Sequence, residues 1–153
     1  MADKLTFSIG HITLTGLLSL LGIFIGYRLN IYRDRRNELK KAGESFRNEF
    51  VETLCLLNIH HPNHPGGKEF DYTFKLLPKF YNQQHSAFIR FEPYLLWHKK
   101  GRFTRRWHQY CCFDKQHNKP TFSDYECGVD HDIELTKRKL AITRINKMFK
   151  YTF

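Results

Sequence analysis

Apolar positions along the chain change their period as it proceeds. From Leu5 to Tyr27, 23 residues contain no Asp, Glu, Lys or Arg. As a helix that run measures ~34 Å, enough to cross a hydrocarbon core of ~30 Å. From Asn30 to Asn58 the pattern stays helical but becomes amphipathic. Leu39, Ala42, Phe46, Phe50, Leu54 and Leu57 recur at spacings of three and four, with charged residues between them. No proline interrupts this stretch, so the pattern predicts one anchor-and-stalk helix over about residues 7–58, its stalk ~42 Å long.

The run from His60 to Gly67 (HHPNHPGG) closes that helix in a loop. A second helix is predicted from near Pro78, with a stripe of Phe80, Gln84, Phe88, Phe91 and Leu95 that Pro93 kinks or splits. Lys99-Lys100-Gly101 reads as the break before a third helix, from Gly101 to Cys112. That helix gathers Phe103, Trp107, Tyr110 and Cys111 on one side and Arg102, Arg105, Arg106 and Gln109 on the other. Residues 113–131 lack a period and read as loop, with room for a short hairpin. A last helix, Ile133 to about Phe149, is predicted with Asp132 as its cap and Leu135, Ile142, Ile145 and Phe149 inward. The predicted fold class is all-α: a transmembrane helix continuing into a stalk, then a small cytoplasmic helical domain. The divisions are 1–29 for the anchor, 30–59 for the stalk and 60–153 for the ligand-binding domain.

Charge sets the topology. The apolar run is preceded by a lone Lys4 beside Asp3 and followed by no small-x-small cleavage pattern, so it reads as a retained anchor rather than a signal peptide. Arg28, Arg33, Arg35, Arg36, Lys40, Lys41 and Arg47 crowd its C-terminal flank, which places the N-terminus outside and residues 28–153 in the cytoplasm. Within the span, Ser8, Ile12, Thr15, Ser19, Gly22 and Gly26 fall on one face, ending in a GxxxG. Small residues let helix backbones approach in lipid, so Ser19, Gly22 and Gly26 are the predicted packing seam of a homo-oligomer.

In a reducing cytoplasm Cys55, Cys111, Cys112 and Cys127 read as free thiols. Neighbouring side chains diverge, so adjacent Cys111 and Cys112 make a poor chelating pair, and no zinc is expected with His117, Cys127 and His131. His60, His61 and His64 lie among Pro and Gly without a helix to fix them, and read as a solvated turn. Asp124, Glu126, Asp130, Asp132 and Glu134 form an acidic stretch formally able to hold a divalent cation, though helix capping explains it more simply.

No G-x-S-x-G, H-E-x-x-H, P-loop or dinucleotide fingerprint occurs, so the reading is of a binding protein with no cofactor rather than an enzyme. The chain carries 25 Lys and Arg against 15 Asp and Glu, a net charge of +10. From Trp97 to Lys119, cations alternate with aromatic rings, which together grip phosphate and stack bases. The candidate ligand residues are Lys99, Lys100, Arg102, Arg105 and Arg106, followed by His85, Arg90 and His108. The basic C-terminal helix, with Lys137 and Lys139, is the rival surface.

The span followed by Tyr32-Arg33-Asp34-Arg35-Arg36-Asn37-Glu38, Ala42 and Phe46-Arg47 resembles a widespread set of small, uncharacterised bacterial membrane proteins. So do His85-Ser86-Ala87-Phe88-x-x-Phe91-x-Pro93-Tyr94-Leu95 and Phe103-x-x-x-Trp107-x-x-Tyr110, and together these motifs touch most of residues 12–112. Size and layout are also similar to the membrane effectors of type III CRISPR antiviral defence that cyclic tetra-adenylate gates. That resemblance implies a bacterial inner-membrane protein, assembled as a tetramer, that binds a cyclic oligoadenylate and perturbs the bilayer. It carries over no ligand residue. Two alternatives stand beside it: a constitutive tether binding acidic lipid or RNA, and a metal-dependent nuclease using the acidic stretch.

Overall fold

The computed structural model describes residues 2–58, 73–126 and 131–152, with side chains from Gly16 onward apart from His131. The described residues are mostly helical, in five helices with few strand residues, so the protein is all-α. Helix α1 spans Ala2–Asn48, α2 Val51–Leu57, α3 Thr73–Phe91, α4 Trp97–Cys111 and α5 His131–Phe149. A two-residue hairpin, β1 (Phe113–Asp114) antiparallel to β2 (Lys119–Pro120), follows α4 and supplies the only strands among the described residues.

The chain divides into two units, residues 1–38 and 39–153. The first is the N-terminal part of α1, whose Leu17, Leu18, Leu21, Phe24 and Ile25 are exposed. Among the described residues no helix is long and apolar enough to cross a membrane. The side chains of residues 5–15 of the expected span, with Ser8, Ile12 and Thr15 of its seam, lie outside those described. Gly22 and Gly26 have open space where a Cβ would stand, and Ser19 is exposed.

The second unit is built on aromatic rings. Phe46 of α1 meets Phe50 at 5.0 Å, Phe91 at 5.2 Å and Phe103 at 5.5 Å, and Phe88 stacks on Trp107 at 4.9 Å. Large rings bury the most apolar area per side chain, so this cluster supplies most of the driving force for the unit. From Leu39 onward the amphipathic stripe predicted for the stalk is packed into this unit: Phe46, Phe50 and Leu57 are buried, and Leu39, Ala42 and Leu54 half-buried. The single helix predicted over 7–58 is broken at Glu49-Phe50, where Phe50 turns to meet Tyr110 at 5.8 Å and Phe149 at 5.7 Å. No proline or glycine marks that break; packing makes it.

Three other boundaries differ from prediction. Helix α3 begins at Thr73, with Pro78 inside it, because its first turn is capped from elsewhere in the chain. The Glu134 carboxylate accepts hydrogen bonds from the Thr73 amide at 2.8 Å and the Thr73 hydroxyl at 2.6 Å. Lys99, Lys100 and Gly101 are not a break but lie within α4, which starts at Trp97. The break sits earlier, in a 3-10 turn at Glu92–Tyr94, where Pro93 ends α3. Asp132 is not the cap of α5, which already includes His131. The buried stripe of α5 is Glu134, Arg138, Ala141, Ile145 and Met148, while Leu135, Ile142 and Phe149 are half-buried.

Polar core groups are matched. Tyr110 Oη donates to Gln84 Oε1 and Gln84 Nε2 to Thr53 Oγ1, both at 2.7 Å, which ties α4 to α3 and α2. Among the described residues no buried side-chain polar atom lacks a partner.

Candidate anion-binding cleft

Helix α4 owes its orientation to one face. Phe103, Trp107, Tyr110 and Cys111 are buried at spacings of four, three and one, which fixes the opposite face toward solvent. Its C-terminal end is fixed as well. Cys112 takes a left-handed backbone conformation (φ 49°), and the Cys111 carbonyl accepts from the Thr121 and Phe122 amides at 3.2 and 3.1 Å. Thr121 Oγ1 donates to the Cys112 carbonyl at 2.6 Å, and Tyr125 Oη to the Tyr110 carbonyl at 2.9 Å. These bonds fold the hairpin back along α4.

The result is a cleft of about 570 Å³ lined by Glu92, Gly101, Thr104, Arg105, His108, Gln109, Phe113 and Lys115. The His108 imidazole lies on the Phe113 ring, 4.6 Å between centroids and 15° from parallel. Burial, and secondarily the nearby Lys115 ammonium, holds His108 below the ordinary histidine range, so it is neutral at pH 7. Arg106 Nη1 donates to Gln109 Oε1 at 2.8 Å, which leaves the Gln109 side-chain amide N–H groups as donors to offer. Arg105 and Lys115 supply cations, the stacked pair a flat surface, and Glu92 the one acid of the lining.

Of the eight residues that the sequence singled out for the ligand, the cleft gathers Arg105 and His108. Lys99, Lys100, Arg102 and Arg106 share their helix without lining it. His85 is half-buried in a ring stack with Tyr81 at 5.2 Å and Trp107 at 5.8 Å. Arg90 pairs with Glu49 at 3.2 Å and lines a different, smaller cleft with Ala42, Ser45 and Tyr94. The sequence reading missed Phe113, Lys115 and Gln109 as a set, since only the hairpin brings Phe113 and Lys115 beside α4.

The acidic stretch has structural partners. Asp124 receives Arg144 Nη2 at 2.6 Å, and its backbone carbonyl receives Lys137 Nζ at 2.6 Å. Glu134 is buried against Thr73 and Arg138. Asp130 lies outside the described residues. Among the described residues no group of three or more His, Cys, Asp or Glu is placed to hold a metal ion. Cys127, His60, His61, His64 and the His131 side chain lie outside that set. Cys111 and Cys112 are free thiols, and burial pushes Cys111 up to about 12, which keeps it protonated and unreactive.

Compared with known proteins, the chain matches no family model, no curated sequence and no solved structure. The functional reading therefore rests on the chemistry of the cleft.

Proposed function

We propose that the chain is a membrane-anchored receptor and effector for an anionic nucleotide, bound in the cleft beside α4. One observation carries the reading: Arg105 and Lys115 line the same cleft as the stacked His108–Phe113 pair. A guanidinium and an ammonium meet phosphate oxygens, and a flat aromatic pair receives a base. Gly101 has nothing within 4 Å of where a Cβ would stand, so a ligand approaches the α4 backbone there without obstruction.

The ligand that the resemblance implies is a cyclic oligoadenylate, specifically cyclic tetra-adenylate. Its four phosphates suit a homotetramer in which each subunit offers the same cations to the ring. The anchor proposed for this receptor is residues 5–27, spanning a bacterial inner membrane with the N-terminus out. Coupling has a short physical route within the second unit. The face of α4 opposite the cleft presents Phe103, which packs on Phe46 of α1, and α1 is one continuous helix from Ala2. A ligand that favours one packing of Phe103 on Phe46 shifts α1 by the difference in its affinity for the two states.

Dye-loaded vesicles containing the full chain test this reading. Cyclic tetra-adenylate should release the dye, and Arg105→Ala should abolish release. Release without ligand would favour the constitutive tether. Binding without release would retain a receptor and refute the effector.

A further inference from the structure

The corner between α3 and α4 exposes apolar side chains that the cleft does not use. Ile89 is 56% exposed, Tyr94 46%, Leu96 49% and Trp97 85%, the last the most exposed of the large hydrophobic residues described. The other tryptophan, Trp107, is 1% exposed in the core. Four large apolar side chains within nine residues of chain are not explained by packing, since Leu95 and Phe91 fill the core beneath them.

Charge around the corner selects what covers it. Lys99, Lys100 and Arg102 follow directly, and Arg90 precedes it with a side chain still 66% exposed despite its pair with Glu49. Among the described residues Lys99, Lys100 and Arg102 form no ion pair. Glu92, lining the cleft, is the only acid between Arg90 and Arg102. The first turn of α4 thus carries two lysines and no acid at the end of a helix dipole that itself favours negative charge. An exposed indole and leucine ringed by flexible cations is the composition that seats in the headgroup layer, with rings at the acyl boundary and ammonium groups among the phosphates.

We propose that this corner, led by Leu96 and Trp97 and flanked by Lys99, Lys100 and Arg102, is a membrane-docking surface that sits on acidic lipid headgroups. The placement fits the fold of the second unit. The C-terminal end of α3 packs beside the start of that unit, as Tyr94 and Arg90 line one cleft with Ala42 and Ser45. The corner therefore lies beside the part of α1 that belongs to the second unit. Trp97 also opens the helix whose later turns line the ligand cleft, so docking and ligand share one rigid element. Docking does not depend on the ligand and requires only a bilayer.

Trp97 is its own reporter. The full chain is reconstituted into vesicles, insertion is scored by flotation, and tryptophan emission is measured with acyl chains brominated on either an acidic or a zwitterionic lipid. The expected result is stronger quenching by the brominated acidic lipid and loss of most of that quenching in Trp97→Phe. Lys99→Glu with Lys100→Glu should remove the preference for acidic lipid. A chain that floats with the vesicles while Trp97 stays open to an aqueous quencher overturns the docking proposal and leaves the anchor intact. Shielding of Trp97 without lipid quenching overturns it too, in favour of a protein cover such as a second copy. Failure to float refutes the anchor instead, and then Trp97 quenching by added acidic vesicles still decides the docking surface.

Discussion

Replacing Glu134 by Gln would remove one negative charge from the core while keeping the side-chain volume. Its carboxylate is 1% exposed and meets Arg138 Nε at 3.0 Å, a guanidinium 5% exposed. The same oxygen takes the amide and hydroxyl of Thr73, and Arg138 Nη1 donates to the Leu56 carbonyl at 2.9 Å. One ion pair on α5 thus holds the start of α3 and the end of α2. Breaking a buried pair from one side leaves a charge without its counter-charge, at about 3–5 kcal/mol. Total stability for a domain of this kind is about 5–15 kcal/mol, so the loss is a large fraction. At roughly 4 °C per kcal/mol for this size, melting should fall by about 12–20 °C. Arg138→Met should cost less, because the carboxylate keeps two donors from Thr73 and the positive end of α3. The two effects should be non-additive by about 0.5–3 kcal/mol in a double-mutant cycle. Near-ultraviolet circular dichroism of the full chain in detergent is the right assay, since it reads the Trp107 and Tyr110 core rather than the helix of the first unit. A loss below about 1 kcal/mol for Glu134→Gln would show that the Glu134–Arg138 pair does not hold these elements together.

Other perturbations separate packing from ligand chemistry. A Cβ at Gly43 would stand 2.8 Å from the Thr152 carbonyl oxygen and 3.2 Å from its Cα, so Gly43→Ala should destabilise by about 1–3 kcal/mol in thermal melts despite better helix propensity. Gly101→Ala meets nothing in the chain and should gain about 1 kcal/mol, yet its methyl enters the cleft and should weaken ligand binding. His108 has its pKa lowered by burial, so the unfolded state takes up its proton first. Stability should be level above the ordinary histidine value and decline as pH falls through ~6.5, and the decline should shrink in His108→Gln. In the proposed anchor, Gly22→Leu should weaken self-association measured by cross-linking in membranes, while Leu21→Ala should matter less.

The sequence was most legible where aromatic residues kept a helical period. Phe103, Trp107, Tyr110 and Cys111 read as one buried face, Phe46 and Phe50 as another, and all six are buried. Pro93 read as a breaker, and α3 ends two residues before it. What failed to show were features made by distant parts of the chain. The Thr73 amide at the start of α3 is satisfied by Glu134, 61 residues away, which no local pattern announces. Arg138 is not among the inward residues predicted for the last helix, since a charged residue rarely occupies a core stripe, and only its pairing with Glu134 makes that place tenable. Gly101 read as a break because local propensity disfavours it in a helix, whereas the burial of Phe103 and Trp107 outweighs about 1 kcal/mol. Half of the cleft was legible in α4. The other half, Phe113 and Lys115, depends on a hairpin whose strands are two residues each, too short to leave a period.

Calorimetric titration of the full chain in detergent with cyclic tetra-adenylate asks whether Arg105, Lys115 and the His108–Phe113 stack form one ligand site. Saturable binding is expected, weakening roughly 10- to 150-fold in Arg105→Ala, as for one lost hydrogen bond to a charged group. Lys115→Ala should weaken it comparably, and Lys139→Ala, away from the cleft, should leave it unchanged. No binding by the folded wild-type chain, or binding that Lys139→Ala weakens while Arg105→Ala does not, would rule that site out.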